Sequence, residues 1–142
     1  MPHLHHKSSN LQNKGPVIDV IIHPPKPKCE LLKLKGEKIP SLKAIGLIDI
    51  GASCTCIDKS IANALHLIPR DIKKVYTAGG EDLQALYDIG VILPVTENVV
   101  IYAQSLEAKL AQQPYKVLIG RDILSQCTLV YNGWDNSYNL HF

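Results

Sequence analysis

The residue with the clearest chemical potential is Asp49, at the end of the apolar run of Lys43 to Ser53, KAIGLIDIGAS. An apolar run that ends in an Asp-x-Gly turn reads as a buried strand delivering a carboxylate into a tight loop. A carboxylate in that position loses part of its hydration, so it needs either a partner or a chemical task. The simplest alternative is that Asp49 only begins a turn, the commonest use of such a triplet. A second triplet, Asp88-Ile-Gly90, lacks both the preceding apolar run and the following Ala-Ser, and reads as a solvent-facing strand position. Cys54 and Cys56, two apart on an expected strand, share a face at a spacing poor for mutual bonding and lack further ligands for zinc. All four cysteines read as buried free thiols. Three histidines among the first six residues fall in a polar stretch without periodicity, and no metal site is expected there.

The run Leu47-Ile-Asp49-x-Gly51-Ala52-Ser53, followed by Cys54-Thr-Cys-Ile57, resembles the catalytic loop of the retropepsin-like aspartic proteases. A second segment, Tyr115-Lys-Val-Leu-Ile-Gly120-Arg121-Asp122-Ile-Leu124, resembles that family's other motif, a strand running into a short helix. The resemblance covers roughly Pro16 to Phe142. The resemblance implies that Asp49 is catalytic, that Ile50, Gly51, Ala52 and Ser53 form the active-site loop, and that Gly120, Arg121 and Asp122 support it structurally. It also implies a flap over the substrate, for which Gly79 and Gly80 stand at the right place; a plain surface hairpin describes them equally well. Peptide hydrolysis of this kind uses two carboxylates facing one water: the ionised one removes a proton, and the protonated one supports the oxyanion and the leaving amine. Lying close together, they hold one proton between them and work in the acid to mildly acid range. One copy of the loop per chain implies a homodimer acting on a peptide or protein substrate, without a cofactor or metal.

Two positions depart from the family pattern. Ile50 stands where a Thr or Ser hydroxyl normally bonds across the dimer, and Ser53 stands where retroviral members carry an acid that pairs with the arginine at the place of Arg121. The intact Asp49, Gly51 and Ala52 favour an aspartic endopeptidase, whereas Ile50 favours the alternative, a catalytically weak or inactive module of the same fold for dimerisation or peptide binding.

The elements that must position Asp49 are read from periodicity and punctuation. A first strand is expected over Pro16 to His23, ended by the prolines at 24, 25 and 27, and a second over Cys29 to Lys35. Leu42 to Ile48 is the strand that carries Asp49. Asp58 is placed to cap a helix from Lys59 to Leu67 with Ile61, Ala64 and Leu65 on one face, where His66 reads as a surface residue. Lys73 to Leu86 predicts a hairpin with Gly79 and Gly80 at its tip. Tyr87 to Leu93 and Val99 to Ala103 are strands around a turn at Pro94 to Asn98. Ser105 to Gln113 suits either a short helix or an irregular connection. Arg121 to Gln126 fits one or two helical turns, and Thr128 to Tyr131 with Tyr138 to Phe142 makes a closing hairpin around Asn132-Gly133. Many short strands predict an all-β, small closed barrel-like fold of the retropepsin kind with one or two short helices. Residues 1–15 are expected as a disordered arm before a single domain over 16–142, whose last strand would be an exposed edge available to a partner.

Length and composition agree with this size. The chain has 142 residues, 46% hydrophobic and 20% charged, which suits one core rather than two. A formal net charge of +2 gives no reason to expect nucleic acid or an anionic membrane as partner, and the lysines between Lys26 and Lys43 read as a solvated loop. No apolar run approaches the ~20 residues of a membrane helix, and the start lacks a signal-peptide core. The expectation is a cytoplasmic protein or a soluble fragment of a larger precursor.

Overall fold

The computed structural model describes residues 2–96 and 99–142. Its elements in chain order are β1 (His3–Lys7), α1 (Leu11–Lys14), β2 (Val17–His23), α2 (Lys26–Leu34), β3 (Leu42–Ile48), β4 (Cys56–Asp58) and α3 (Lys59–Ala64). There follow β5 (Asp71–Thr77), β6 (Gly80–Ile92), β7 (Ile101–Ala108), β8 (Val117–Ile119), α4 (Arg121–Leu124), β9 (Thr128–Asn132) and β10 (Ser137–His141). The chain is therefore mostly β, as its alternating and β-branched runs predict. The larger sheet runs β2-β3-β8-β4-β7-β6-β5, and β2 pairs again with β6, so six of its strands close a ring. A smaller sheet is ordered β1-β10-β9.

The ring is filled by the apolar residues of its strands. Ile18, Val20 and Ile22 alternate inward from β2, Tyr87, Ile89 and Val91 from β6, and Ile57, Val117 and Ile119 from β4 and β8. Period-two burial of this kind is what a sheet with one core-facing side requires. Ile123 of α4 and Tyr138 and Leu140 of β10 join the same cluster, tying the small sheet to the ring.

Six expectations are corrected. Residues 3–14 are not a disordered arm: β1 pairs with β10 from His3↔His141 to Lys7↔Ser137, and Leu11 is fully buried. They therefore share the core of the unit expected to begin at residue 16. The closing strand is consequently no exposed edge, because β10 lies between β1 and β9 with Tyr138 and Leu140 buried. The strand expected over Cys29 to Lys35 is the helix α2, entered through Pro25 and with a proline in its first turn, where a missing N–H is harmless. Its Cys29 and Leu32, three apart, are its less exposed positions. The hairpin strand and the strand from Tyr87 are one continuous β6, and Ser105 belongs to β7 rather than to a helix or loop. Cys54 precedes β4 instead of sharing a strand with Cys56. In the expected Pro94-to-Asn98 turn, Pro94–Thr96 form a single 3-10 turn, while Glu97 and Asn98 lie outside the described residues, as does Met1 of the expected arm.

Candidate active site

Asp49 is placed by two parallel strands that end side by side. β3 and β8 pair in register, Gly46↔Val117, Leu47↔Leu118 and Ile48↔Ile119, so Asp49 and Gly120 leave the sheet at the same level. The backbone N–H of Asp49 donates to the carbonyl of Ile119 at 2.9 Å, extending the ladder by one bond beyond the strands. The chain then turns on the aspartate itself: Gly51 N–H donates to Asp49 Oδ1 at 2.9 Å and Ala52 N–H to the Asp49 carbonyl at 3.2 Å. An acid whose side chain accepts from the residue two places on is a locally fixed acid. Asp49 is half-buried, and Ile50 beside it is 68% exposed.

The loop is held against the start of α4 by three further contacts. Arg121 donates its backbone N–H to the Ala52 carbonyl at 2.9 Å and its Nη1 to the Ile50 carbonyl at 2.8 Å. Among the described residues Arg121 makes no ion pair; its cation is spent on a backbone carbonyl of the loop. Gly120 lies against the far side, where a Cβ would stand 2.4 Å from the Cys54 carbonyl carbon and 2.8 Å from Thr55 N. Only glycine fits there, since backbone cannot give way as a side chain can.

Thr55, which the motif reading passed over, is the hub of this support. It is fully buried, and both its N–H and its hydroxyl donate to Asp122, at 3.0 Å to Oδ2 and 2.9 Å to Oδ1. Gly120 N–H donates to the same hydroxyl at 3.3 Å, and Ile123 N–H to Asp122 Oδ1 at 2.9 Å. A hydroxyl flanked by two cysteines at the start of an apolar strand was the available signal, because a buried polar side chain must find partners. Cys56 sits in the same shell: burial pushes its thiol up to about 12, and Cys54, Asp122 and Asp49 add to the shift because a thiolate beside other negative groups is disfavoured. Cys56 is therefore a neutral thiol, and its Sγ points back to the Cys54 carbonyl at 3.5 Å.

The structure thus gathers Asp49, Ile50, Gly51 and Ala52 with Gly120, Arg121 and Asp122 into one bonded unit, with Ser53 exposed at its rim. Gly79 and Gly80 stand apart from it, at the tip of the β5–β6 hairpin, where Thr77 pairs with Gly80. Gly80 has φ +109°, a conformation that side chains resist. One face of this hairpin continues the core face of β6, the face of Tyr87 and Ile89, out to Leu83 with Ile72 and Tyr76 across from it. Those three are exposed, and they share the face with Lys74 and Glu81, which pair at 3.6 Å, so the hairpin carries a mixed apolar and charged face beyond the core it came from. Asp88 faces outward and is paired with Arg70 at 3.0 Å, which accounts for the second Asp-x-Gly triplet without catalysis. Among the described residues no three histidine, cysteine or acidic side chains are gathered around one point as a metal requires. No helix among them is long and apolar enough to cross a membrane.

No family model and no curated protein matches the chain. Among solved structures it is similar to the simian foamy virus protease, at 18% identity over 77% of this chain and 91% of that one, with a TM-score of 0.48. It is also similar to a retropepsin-like aspartic protease from Rickettsia conorii, at 14% identity over 99% of this chain and 95% of that one, with a TM-score of 0.49.

Proposed function

We propose that this chain is an aspartic endopeptidase that works as a homodimer, each chain contributing Asp49 to a pair of carboxylates around one water. The observation that carries the reading is the loop itself: a half-buried acid turned on its own backbone, clamped to Gly120–Asp122, with the side chain of Ile50 left bare beside it. An isolated turn aspartate has no need of a buried Thr55–Asp122 buttress behind it. The exposed Ile50 offers apolar surface at the place where a second loop must meet the first, and burial of that surface favours association. The exposed apolar residues Ile72, Tyr76 and Leu83 on one face of the β5–β6 hairpin, beside the Lys74–Glu81 pair, support a flap role for Gly79 and Gly80 over a bound peptide.

In the mechanism, one Asp49 is ionised and takes a proton from the water as it attacks the peptide carbonyl. Its protonated twin hydrogen-bonds the developing oxyanion and then returns a proton to the leaving amine. The clamp matters because a base displaced by about 1 Å loses much of its advantage.

Ile50 also supports the second reading, a module of the same fold with little or no catalysis, since an apolar contact replaces a directional one between the loops. Cleavage of a mixed peptide library across pH separates the two, with Asp49→Asn as the control. The endopeptidase reading expects cleavage with an acid to mildly acid optimum, blocked by a transition-state mimic of aspartic proteases and abolished in Asp49→Asn, which should fold as the parent does. Cleavage that persists in Asp49→Asn would remove this site from consideration, and no cleavage by the parent dimer at any pH would leave the module.

A further inference from the structure

The helix α2 turns one face to the body of the chain and an apolar ridge to the outside. Cys29 and Leu32, three apart, are its less exposed positions and fix the inner face. On the far side Pro27, Leu31 and Leu34 follow one another at i, i+4 and i+7, so they stand in one row. That spacing ordinarily marks the buried stripe of a surface helix. Here the row lies in water, with Leu31 51% and Leu34 86% exposed. Ile68, 85% exposed, extends it, because Ile68 and Pro27 line the same cleft behind α3. An exposed apolar patch with a polar rim marks a contact surface.

Lysines border the row on both sides. Lys28 and Lys35 run along one flank and Lys26 and Lys33 along the other, each pair seven residues apart and therefore stacked two turns from one another. Between residues 26 and 38 five lysines stand against two acids, Glu30 and Glu37, a local excess that the formal net charge of +2 conceals. Among the described residues none of these lysines makes an ion pair.

The pattern selects its partner. A polyanion such as RNA satisfies the lysines but leaves the leucines in water. A second copy of this chain covers the leucines but sets lysine flank against lysine flank, which repel. An anionic bilayer satisfies both groups: leucines enter the boundary of the acyl chains, and lysines reach along their own stems to the headgroups.

We propose that α2 is a membrane-contact surface, with Pro27, Leu31, Leu34 and Ile68 entering the outer layer of an anionic bilayer while the flanking lysines meet its headgroups. The helix lies on such a surface and does not span it. It leads into β3 at Leu42, whereas Asp49 leaves that strand after Ile48, roughly 20 Å further along. A chain docked through α2 therefore leaves the Asp49 loop clear of the bilayer.

The test uses the full chain and sedimentation with vesicles of phosphatidylcholine, alone or mixed with phosphatidylserine. Partitioning should be about tenfold or more stronger onto the mixed vesicles and should fall as salt is raised. Leu31→Ser/Leu34→Ser alters only positions already in water, so it should fold as the parent does and weaken partitioning about tenfold or more. Lys28→Gln/Lys35→Gln should weaken it to a similar degree, about tenfold. Lys7→Gln/Lys14→Gln removes the same charge from β1 and α1 and should weaken it far less. Equal partitioning onto both kinds of vesicle, or onto neither, would overturn the proposal. Binding that the leucine variant leaves intact would overturn it as well and assign the lysines to a soluble polyanion. Self-association without vesicles that the leucine variant abolishes, with no vesicle binding by the parent, would give the ridge to a second copy instead.

Discussion

Thr55 and Asp122 are joined twice, backbone N–H to one carboxylate oxygen and hydroxyl to the other, across 67 residues of sequence. This pair fixes the strand that leaves the candidate loop to the helix that supports it. Thr55→Val keeps the shape, removes the hydroxyl and strips Gly120 N–H of its buried acceptor. A buried donor left unpaired costs ~1–3 kcal/mol, so a stability loss of that order is expected in urea unfolding. Loss of cleavage should exceed what the unfolded fraction explains, because the loop loses its support even where the chain stays folded. Unchanged stability would show that the pair carries no strength.

Gly120→Ala tests the same support from the other side. The added methyl would meet the Cys54 carbonyl oxygen at 2.5 Å as well as its carbon, and neither is the movable end of a side chain. Overpacking against backbone typically costs ~1–3 kcal/mol, and relief must come from shifting the Cys54–Thr55 segment away from Asp49. The expected result is a folded but less stable protein with cleavage reduced more than tenfold, measured per folded dimer. Parental cleavage would mean that the loop tolerates displacement.

What was legible in the sequence follows from how far each signal reaches along the chain. β3, its loop, β8 and α4 were visible because each apolar run is cut off by glycine, and Asp58 announced α3 as a capping residue must. β1 was invisible because its pairing partners lie 130 or more residues away, in β10, and its own residues HLHHK carry little β preference. Cys29 to Lys35 misled because Leu31, Leu32 and Leu34 half-alternate, while the helix spacing of Cys29 and Leu32 was carried by only two residues. Arg121 drew attention as a cation in want of a carboxylate, but its nearest acceptor is a backbone carbonyl, and backbone acceptors leave no mark in composition.

Asp58 makes one tie of the fold depend on pH. Its carboxylate caps α3 through Ser60 N–H and also accepts Leu110 N–H at 2.9 Å, joining β4 to the segment after β7. Burial alone would raise its pKa, but the bonds from Ser60 and Leu110 and the charge of Lys116 outweigh burial and hold it below the ordinary 3.8. A depressed folded value means that the stabilisation is complete above the unfolded value and is lost as pH falls from about 4 through the folded one. Asp58→Ala should lower stability by ~1–2 kcal/mol near neutral pH, and the gap to the parent should narrow below pH ~4. Mildly acid catalysis near pH 5 therefore leaves this tie intact. A gap that stays constant from pH 7 to 3 in urea titrations would contradict the assignment.

Ile50 decides how well two loops can be aligned. It is 68% exposed in the single chain, and burying an isoleucine is worth ~1.5–3 kcal/mol, comparable to a few net hydrogen bonds at ~0.5–1.5 kcal/mol each. Association need not suffer from the missing hydroxyl. Alignment is a different quantity, because apolar contact is non-directional and holds the paired carboxylates within a looser range than a hydrogen-bonded grip does. Ile50→Thr should therefore weaken or preserve dimerisation in sedimentation while raising cleavage per dimer severalfold, compared at concentrations where both variants are dimeric. Equal or lower turnover in Ile50→Thr would show that isoleucine is not what limits alignment. If neither protein turns over as a dimer, the geometry built around Asp49 serves the non-catalytic module, and Ile50 is then the contact that assembles it.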